Sequence, residues 1–591
     1  MLADMPDYPR IPYGLAYFPR IRRDGALYVD KTRFLRRLEE VDYAVFIRPR
    51  RFGKSLWISV LEHYYDRHFA DEFSALFDGT DIGRNPTHER GSHIVLRFDF
   101  SAFGASLDKL EERFEEYCAG AIRFALLRNS DLFPRGDASA ILAPSSVAGQ
   151  LNALFRDAAG RGIGLYALID EYDNFANNLL ASKGENVYRD FTHGGGFFRD
   201  FFATLKAGAG QGALRRLFIT GVSPITLDDV TSGFNMGDNI SLDARFNELL
   251  GFTEAEVRGL LELYRDCGAF GQDVDEALDI MREWYGGYRF AEVADTTLYN
   301  TDMVLYYLNK SILNRVPPRR VIDQNARVDY TKLRHLLVVS NRLNGNFDLL
   351  RHLAGEERVE VDLQPSFPLE RLNDRDNFLS LMHHFGLLSI RDASGPLTVL
   401  CLPNRAVRHF IYDFLRSGYR DMDLFALDRF RLLPLMERMA VEGEWMPVFE
   451  MIAECIEQFT GIRDYIAGEK VLQGFLAAYL SLSQRFLLRS EGEYGKGFAD
   501  LSLEPDVARY PNTRYGYLVE LKYLKRGDNV EAARIDALRG EAAAQLLRYL
   551  ADGRLGRQYP GVRFIGLVLV FHGWEMVATE AVEAMSTVNV G

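Results

Sequence analysis

The 591-residue sequence is poor in cysteine and has no long hydrophobic run. Its cysteines are far apart, with no CxxC pair and no histidine cluster nearby, so neither a zinc site nor a disulfide framework is supported. The longest apolar stretches, such as "IGLVLVF" at 565–571, are far shorter than the roughly 20 residues that span a bilayer, and they match buried strands. We therefore expect no membrane span and four buried thiols: Cys118, Cys267, Cys401 and Cys455.

A secretory signal and an excess of positive charge are missing as well. The first residues, "MLADMPDYPR", contain acids and prolines where such a signal needs a basic start and an apolar run, which predicts a cytoplasmic protein. The net charge of −13 argues against a coat of positive potential but leaves room for a local nucleic-acid groove. A local basic excess does lie between Arg10 and Lys54. Phosphate ligands together with a solvated helix face would explain it as well as a nucleic-acid track would.

What the sequence does contain is enough length for several domains and a near match to a phosphate-binding loop. The stretch "FIRPRRFGKSLW" at 46–57 follows a short apolar strand and opens a helix, which is the context that such a loop needs. Gly53 lets backbone N–H groups face phosphate, Lys54 reaches the β and γ phosphates, and the Ser55 hydroxyl takes a Mg²⁺ position. Arg48 stands where the loop normally begins with glycine.

Two further strands carry polar residues at their ends. "LYALIDEYD" at 165–173 predicts a buried strand followed by Asp170, which would contact Mg²⁺ through water, and Glu171, which would polarise the attacking water. The alternative is a strand that ends in solvated acids. "RRLFITGVSP" at 215–224 ends in Thr220 and Ser223, which could sense the γ-phosphate or simply cap the strand end.

These stretches resemble a known family. "YVDKT" at 28–32, "RPRRFGKSL", "LIDEYDN", "TGVSPITLDDVTSGFN" and "RFNELLGFTEAEV" are similar to the AAA-ATPase-like proteins of bacteria and archaea, whose C-terminal part is usually a PD-(D/E)xK nuclease-like domain. The resemblance implies that Arg48 is a family trait and that the site binds Mg·ATP. Arg50 and Arg51 then add contacts to phosphate, unless they are only exposed loop residues.

The middle of the chain offers less chemistry. Thr253 and Glu256 form a capping box that opens an amphipathic helix, which indicates a helical lid over 251–316 behind an ATPase domain over 1–250. Residues 317–443 predict a mainly helical region without a catalytic constellation. His383 and His384 are adjacent, so they face different sides of a helix, and we expect them to be structural.

The C-terminal part, 444–591, predicts elements in the order α, β, β, β, α, β, with Asp500 on one strand and Glu520 and Lys522 on the next. Residues two apart in a strand share a face, so Glu520 and Lys522 project together and a neighbouring strand brings Asp500 beside them. Two close carboxylates repel unless a cation lies between them, which indicates a Mg²⁺ or Mn²⁺ site. A solvated strand face with alternating charges is the plain alternative for the ExK pattern.

The resemblance to PD-(D/E)xK nucleases adds further residues. It implies that Glu469, on the first helix, contributes to the metal shell, and that Gln545 with Tyr549 corresponds to the QxxxY of RecB-like nucleases. Glu491 is another candidate acid. The implied fold is a multidomain α/β protein: a P-loop (AAA-like) parallel sheet with a helical lid, a helical middle region and a C-terminal RecB-like nuclease fold.

The sequence thus predicts an ATP-dependent or ATP-regulated nuclease that cuts nucleic acid, with DNA preferred to RNA as the expected partner. The domain pairing fits defence against foreign DNA or mobile-element processing, and rings or dimers are an analogy at the level of the fold. One alternative is an interaction ATPase or sensor whose nuclease fold binds nucleic acid or protein without cutting. Another is a nuclease whose nucleotide site binds ATP but never turns it over.

Overall fold

The computed structural model describes residues 8–102, 109–174, 196–225, 236–323, 325, 338–339, 342–343, 345–356, 358–464, 468–494, 497–528 and 530–583. As far as they are described, these residues form two compact units. The first comprises Met1–Asp329 with Glu360–Asn404, and the second Tyr330–Val359 with Arg405–Gly591. Both units draw on the predicted middle region 317–443, and the four domain boundaries given above stay a prediction.

The first unit is built on a parallel sheet, five-stranded within the described residues, in the order β2-β3-β4-β1-β5. Parallel strands with helices on both faces are buried on both sides, which explains why their sequences are nearly continuous apolar runs. β3, for example, is buried at every position. The strands are Tyr43–Ile47 (β1), Ile94–Asp99 (β2), Leu165–Asp170 (β3), Leu214–Gly221 (β4) and Asp238–Asn239 (β5).

Helices surround this sheet, and one of them starts at the phosphate-binding loop. That helix, α3, begins at Lys54, directly after the loop, as predicted. The helices up to β5 are Phe18–Arg23 (α1), Phe34–Leu38 (α2), Lys54–Tyr65 (α3), Phe73–Phe77 (α4), Asp81–Arg84 (α5), Leu110–Arg128 (α6), Arg135–Leu142 (α7), Val147–Arg161 (α8) and Phe197–Gly210 (α9). Short 3₁₀ turns cover Arg67–Glu72, Phe100–Ala102, Ile240–Leu242 and Ala244–Phe246.

The predicted lid is helical, and its capping box is confirmed. The Thr253 side chain accepts a hydrogen bond from the Glu256 N–H, and the Glu256 carboxylate accepts one from the Thr253 N–H. The Lys31 ammonium contacts the same carboxylate at 2.7 Å and ties the "YVDKT" motif to the lid. The lid elements are Phe252–Thr253 (β6), Glu254–Asp266 (α10), Val274–Tyr285 (α11), Leu298–Tyr299 (β7) and Thr301–Asn314 (α12).

The middle region combines helices with short strands. His383 and His384 are buried and hydrogen-bonded to backbone carbonyl oxygens, and burial lowers their pKa values to about 3 and about 4. The elements are Val338–Val339 (β8), Arg342–Leu343 (β9), Gly345–Glu356 (α13), Arg358–Val361 (β10), Arg375–His384 (α14), Ser389–Asp392 (β11) and Thr398–Cys401 (β12), with a 3₁₀ turn at Leu369–Arg371.

The second unit contains a mixed sheet, five-stranded within the described residues, in the order β13-β14-β15-β16-β17. Its neighbours are antiparallel except for β15 and β16, which run parallel. The parallel pair needs a crossover, and the helix Ala532–Leu550 (α19) provides it. The strands are Phe486–Tyr494 (β13), Gly497–Pro505 (β14), Tyr515–Leu524 (β15), Arg563–His572 (β16) and Glu575–Val582 (β17).

Helices cover both faces of this sheet. The face that carries Glu520 packs against α19 through a buried cluster that includes Leu518, Leu546 and Val568. The helices are Arg405–Asp421 (α15), Arg429–Glu442 (α16), Met446–Gln458 (α17), Glu469–Leu480 (α18), Ala532–Leu550 (α19) and Arg554–Gln558 (α20), with a 3₁₀ turn at Thr460–Asp464. The order α18, β13, β14, β15, α19, β16 matches the predicted α, β, β, β, α, β. Within the described residues, no helix is both long and apolar enough to cross a lipid bilayer.

Candidate functional site

The phosphate-binding loop connects β1 to α3 and ends in a left-handed glycine. Gly53 has φ 98°, a conformation that strains any residue with a Cβ, and it lets the chain turn into the helix at Lys54. The Lys54 ammonium is buried and donates hydrogen bonds to the carbonyl oxygens of Arg48, at 3.0 Å, and Pro49, at 2.9 Å. Burial lowers its pKa, and the carboxylates of Asp170 and Glu171 act in the opposite direction.

Arg48, which replaces the usual first glycine, is a brace beneath the loop. Its side chain is 1% exposed and donates hydrogen bonds to the carbonyl oxygens of Ser241, at 2.7 Å, and Ile47, at 3.0 Å. The guanidinium carbon lies 4.2 Å from the ring centre of Phe46 and 4.4 Å from that of Phe290. Burial lowers the pKa of Arg48 to about 9. The arginine therefore faces the protein core.

Arg51 also contacts protein carboxylates. Its guanidinium forms an ion pair with Asp302, at the start of α12, and lies 3.6 Å from Asp323. Asp323 in turn accepts a hydrogen bond of 2.5 Å from the Tyr13 hydroxyl. Arg51 has a positive φ of 68°, which is uncommon for a residue other than glycine. Arg50 and Arg51 both line the cavity described below.

Asp170 and Glu171 lie at the carboxyl end of β3. Asp170 is 1% exposed, its Oδ1 accepts the Glu171 N–H at 3.0 Å, and its Oδ2 has no hydrogen-bond partner among the described residues. Burial raises the pKa values of both carboxyls, and the nearby Ser55 side chain and Lys54 charge oppose this at Asp170. Glu171 has φ 49°, and strained backbone of this kind is concentrated at functional sites.

The predicted sensor strand, β4, lies between β1 and β3, and its end is held by a residue that sequence reasoning missed. The Asp173 carboxylate accepts the backbone N–H groups of Val222, at 3.2 Å, and Ser223, at 2.7 Å. The Thr220 hydroxyl donates to the Phe46 carbonyl at 2.7 Å, so it joins β4 to β1. Of the two hydroxyls, only Ser223 stays a candidate sensor. Motif residues 226–235 lie outside the described residues.

A cavity of about 330 Å³ opens beside this loop. It brings together six of the predicted residues: Arg50, Arg51, Gly53, Lys54, Ser55 and Glu171. Asp170 and Ser223 are not among the residues that line this cavity. The remaining wall is largely apolar and comes from the N-terminal segment and the lid, including Leu15, Ile21, Leu27, Tyr28, Val29, Phe252 and Leu305. In the sequence, the motifs "YVDKT" and "RFNELLGFTEAEV" marked part of this wall, namely Tyr28, Val29 and Phe252. A polar loop beside an apolar wall suits a ligand with phosphates and a flat ring.

The predicted nuclease residues meet on the sheet of the second unit. The register pairs Leu501 of β14 with Val519 of β15, which brings Asp500 beside Glu520. The Leu521 N–H donates to Asp500 Oδ2 at 2.8 Å and holds that carboxylate in place. The Lys522 ammonium donates to Glu520 Oε1 at 3.1 Å. The other oxygen, Glu520 Oε2, is buried and accepts no hydrogen bond from the part of the chain that the structure describes.

The electrostatics of this cluster favour the binding of a cation. Burial and the neighbouring Asp500 charge raise the pKa of Glu520 to about 7. Burial also raises the pKa of Asp500, and Glu469 adds to this. Within the described part of the chain, no group of three or more His, Cys, Asp or Glu side chains is arranged to hold a metal ion. The unpartnered Glu520 Oε2 beside Asp500 still fits a Mg²⁺ ion, which is commonly held by one or two carboxylates and several waters.

Three further side chains surround the cluster. Glu469, in the first turn of α18, acts on both carboxylates through its charge. Gln545 donates to the Tyr549 hydroxyl at 2.7 Å, and that hydroxyl donates to the Phe498 carbonyl at 3.2 Å. Gln473, which sequence reasoning missed, is buried on α18 and donates to the Asp500 carbonyl. The side chain of Glu491 lies outside the described residues.

Comparisons with known proteins concern the two domains that contain these residues. Residues 12–231 match the family model described as a predicted AAA-ATPase, and residues 467–581 match that of the PD-(D/E)XK nuclease superfamily. The chain therefore combines an AAA-ATPase-like domain with a domain of the PD-(D/E)XK nuclease superfamily. The predicted fold class is confirmed, with a parallel P-loop sheet in the first unit and the nuclease-like mixed sheet in the second.

Individual relatives add little. A protein of Azotobacter chroococcum mcd 1, described as an uncharacterized protein in the vnfD 5′ region, is 29% identical over 306 residues, which are 50% of this chain and 52% of that protein. The chain thus matches about half the length of this relative. The structure of the ORC2 protein of Aeropyrum pernix in ADPNP and ADP complexes is 12% identical with a TM-score of 0.30, over 71% of this chain and 98% of that one. A TM-score this low supports no inference about the present chain.

Proposed function

We propose that this protein is a metal-dependent nuclease that binds and hydrolyses ATP. The observation that carries the proposal is the convergence of Asp500, Glu520 and Lys522 on neighbouring strands, with a buried Glu520 oxygen that has no partner. Burying carboxylates side by side is unfavourable unless a cation compensates for them. A purely structural cluster has no need of such an arrangement.

At the proposed nuclease site, each residue has a distinct task. Asp500 and Glu520 would hold Mg²⁺ or Mn²⁺, with Glu469 in reach of the surrounding waters. The bound ion would activate a water molecule and neutralise charge on the phosphate. The Lys522 ammonium orients the nucleophile or screens the negative charge that develops on the phosphate oxygens. Gln545 donates to the Tyr549 hydroxyl, which contacts the strand that carries Asp500, and its amide would orient the substrate.

At the proposed ATPase site, Lys54 binds the β and γ phosphates, and the Gly53 turn presents backbone N–H groups to them. Ser55 and Asp170 would hold a Mg²⁺ ion, which would supply positive charge to offset that of the phosphates. The unpartnered Asp170 Oδ2 fits that task. Glu171 polarises the attacking water, and the raised pKa of its carboxyl is suited to accepting a proton.

Nucleic acid is the proposed partner, with DNA preferred to RNA. A cytoplasmic location, self-assembly into a homo-oligomer, and a role in defence or mobile-element processing are part of the same proposal. What supports it is the pairing of an AAA-ATPase-like domain with a PD-(D/E)XK domain in one chain.

The experiment is degradation of end-labelled linear and closed circular DNA by the full chain, with Mg²⁺ or Mn²⁺ and with or without ATP. We expect cleavage that requires the metal and falls by at least about 100-fold in Lys522→Ala, because a preorganised charge next to the reacting phosphate is lost. Cleavage that persists in Lys522→Ala would refute this site. If neither DNA nor RNA is cut, the interaction ATPase becomes the better reading.

A further inference from the structure

A cluster of arginines on a tryptophan lies beside the proposed nuclease site. The guanidinium carbon of Arg526 is 4.0 Å from the ring centre of Trp574, and that of Arg463 is 4.8 Å from it. Arg526 is exposed, and Arg463 and Trp574 are partly exposed. We call these three residues the arginine–tryptophan clamp.

The sheet register places this clamp at the catalytic edge. Strands β15 and β16 run parallel, with Lys522 opposite Val570 and Leu524 opposite His572. Arg526 lies two residues after Leu524, and Trp574 lies two residues after His572. Both residues therefore follow the carboxyl ends of their strands, and Glu520 and Lys522 lie near that same end of β15. The Gly573 N–H donates to the Leu524 carbonyl at 2.8 Å, which extends the contact between the two chain segments beyond the strands.

The distance from the chemistry suits a polynucleotide. Arg526 lies four positions after Lys522, which corresponds to at most about 13 Å at the rise of a β-strand. Each strand of a duplex presents one phosphate per about 3.4 Å of helix axis. A nucleic-acid backbone whose scissile phosphate lies at Lys522 would therefore bring a phosphate only a few nucleotides away to Arg526.

The charges of the clamp are not neutralised by protein carboxylates. Within the described residues, neither Arg526, Arg463 nor the neighbouring, exposed Lys525 takes part in an ion pair, and Arg463 donates only to the Glu457 carbonyl. This contrasts with a chain whose net charge is −13 and whose exposed arginines are often paired with acids. Unpaired cations collected on one ring indicate an anionic ligand.

We propose that the arginine–tryptophan clamp binds the phosphate backbone of the nucleic acid that the nuclease site cuts. The guanidinium plane packs on the indole and keeps its N–H donors directed outward, where they can bind phosphate oxygens in pairs. Trp574 is a positioning residue that reduces the conformational entropy lost when the arginines bind. The proposal rests on the proposed nuclease function, because it assigns a substrate-binding surface to that same site.

The test measures binding separately from cleavage. In a full-length Glu520→Gln background, the affinity for short labelled single-stranded DNA, duplex DNA and RNA is measured by fluorescence anisotropy between about 50 and 200 mM salt. We expect Arg526→Ala to weaken binding by about tenfold and to reduce the slope of log K against log salt concentration by about 1. Trp574→Ala should have a similar effect, whereas Trp574→Phe, which keeps an aromatic face, should retain most of the affinity.

Arg557→Ala is the matched control, because Arg557 is an exposed arginine that precedes β16 at the opposite end of that strand. Thermal unfolding of each variant confirms that it folds, and Arg526→Gln provides a second, milder substitution. The clamp is refuted if Arg526→Ala and Arg463→Ala bind like Arg557→Ala, or if the parent binds no nucleic acid. Failure of the nuclease proposal gives a different result from failure of the clamp proposal. In that case the wild-type chain cuts no nucleic acid, but the clamp variants still bind it more weakly than the parent does.

Discussion

The proposed nucleotide site and the proposed nuclease site are built in opposite ways. The first uses a continuous loop, in which Gly53, Lys54 and Ser55 follow each other and the backbone itself provides donors. The second collects side chains from α18, β14, β15 and α19, and its geometry depends on strand register. In a continuous motif, the local backbone conformation alone positions the functional groups. A distributed site exists only when the whole domain is folded, and it is therefore more sensitive to distant packing.

The lysines of the two sites also differ in the groups that they contact. Lys54 donates to two carbonyl oxygens of its own loop, so it must exchange these contacts for phosphate oxygens. Lys522 donates to the Glu520 carboxylate, whose other oxygen is left for a metal. The nucleotide site thus requires a local rearrangement, whereas the nuclease residues are already in position around their proposed ion.

The largest expected effect separates the two sites. Lys54→Ala should lower the rate of ATP hydrolysis by at least about 100-fold, because the charge that binds the β and γ phosphates is lost. Metal-dependent cleavage without ATP should remain. Phosphate release and DNA degradation are measured on the same preparation, with Lys310→Ala, at an exposed lysine of α12, as the control. A parallel loss of ATP-independent cleavage would contradict the separation.

Arg48→Gly tests whether the nucleotide loop depends on its buried brace. This change restores the usual glycine of the motif but leaves the Ser241 carbonyl without its donor and opens space between Phe46 and Phe290. We expect the free energy of unfolding of the first unit to fall by about 3 kcal/mol. Denaturant unfolding measures it, and ATP binding should weaken rather than improve. Unchanged stability would show that the brace is dispensable.

The pH dependence of the cleavage rate tests the ionisation of Glu520 at the proposed nuclease site. The pKa of Glu520 is raised to about 7, so the carboxyl is protonated below that pH and binds metal poorly. The cleavage rate should fall up to tenfold per pH unit below about 7. More Mn²⁺ should shift the midpoint to lower pH, because the metal and the proton compete. A midpoint that does not respond to metal concentration would assign the titration to another group.

The raised pKa of Glu520 also makes the folded protein less stable at neutral pH than at acidic pH. The folded protein binds the Glu520 proton more tightly than the unfolded chain, so ionisation of the buried carboxyl lowers stability as pH rises toward about 7. Glu520→Gln, which is neutral at every pH, should therefore raise the melting temperature by a few degrees above pH 7 and have little effect near the ordinary pKa of glutamate. Thermal unfolding without metal at both pH values measures the difference.

The smallest expected effect concerns the loop arginine. Asp302 pairs with Arg51 beside the nucleotide cavity. Asp302→Asn removes a negative charge near the phosphates and releases the guanidinium, so the affinity for ATP should rise by about two- to fivefold. Titration calorimetry measures it, with Asp295→Asn, at an exposed acid of the same unit, as the control. A weaker affinity would mean that the ion pair keeps the loop in its binding shape.

Local patterns were sufficient for much of the fold. The apolar run, the glycine and the helical spacing around Lys54 predicted a strand, loop and helix that the structure contains. The capping box at Thr253 and Glu256 is a contact between residues three apart, and it is confirmed. Alternation in β15 placed Glu520 and Lys522 on one face, because side chains of a strand alternate by geometry alone.

Long-range contacts account for what the sequence did not reveal. Arg48 was interpreted only as a family trait, since its partners Ser241 and Phe290 are about two hundred residues away in the chain. The carboxylates around Arg51 and the role of Asp173 at the end of β4 depend in the same way on how separate segments pack. No spacing rule connects such residues.

The sequence by itself determined the two kinds of domain, because strand and helix periodicity and contiguous motifs are local properties. It also predicted the residues that we propose to carry their chemistry. Only the tertiary structure decided that Arg48 faces the core, that an N-terminal segment lines the cavity beside the phosphate-binding loop, and that the Leu521 N–H holds the Asp500 carboxylate. It also decided that Arg463 and Arg526 meet on Trp574. The physical reason is that register and packing join residues far apart in the chain.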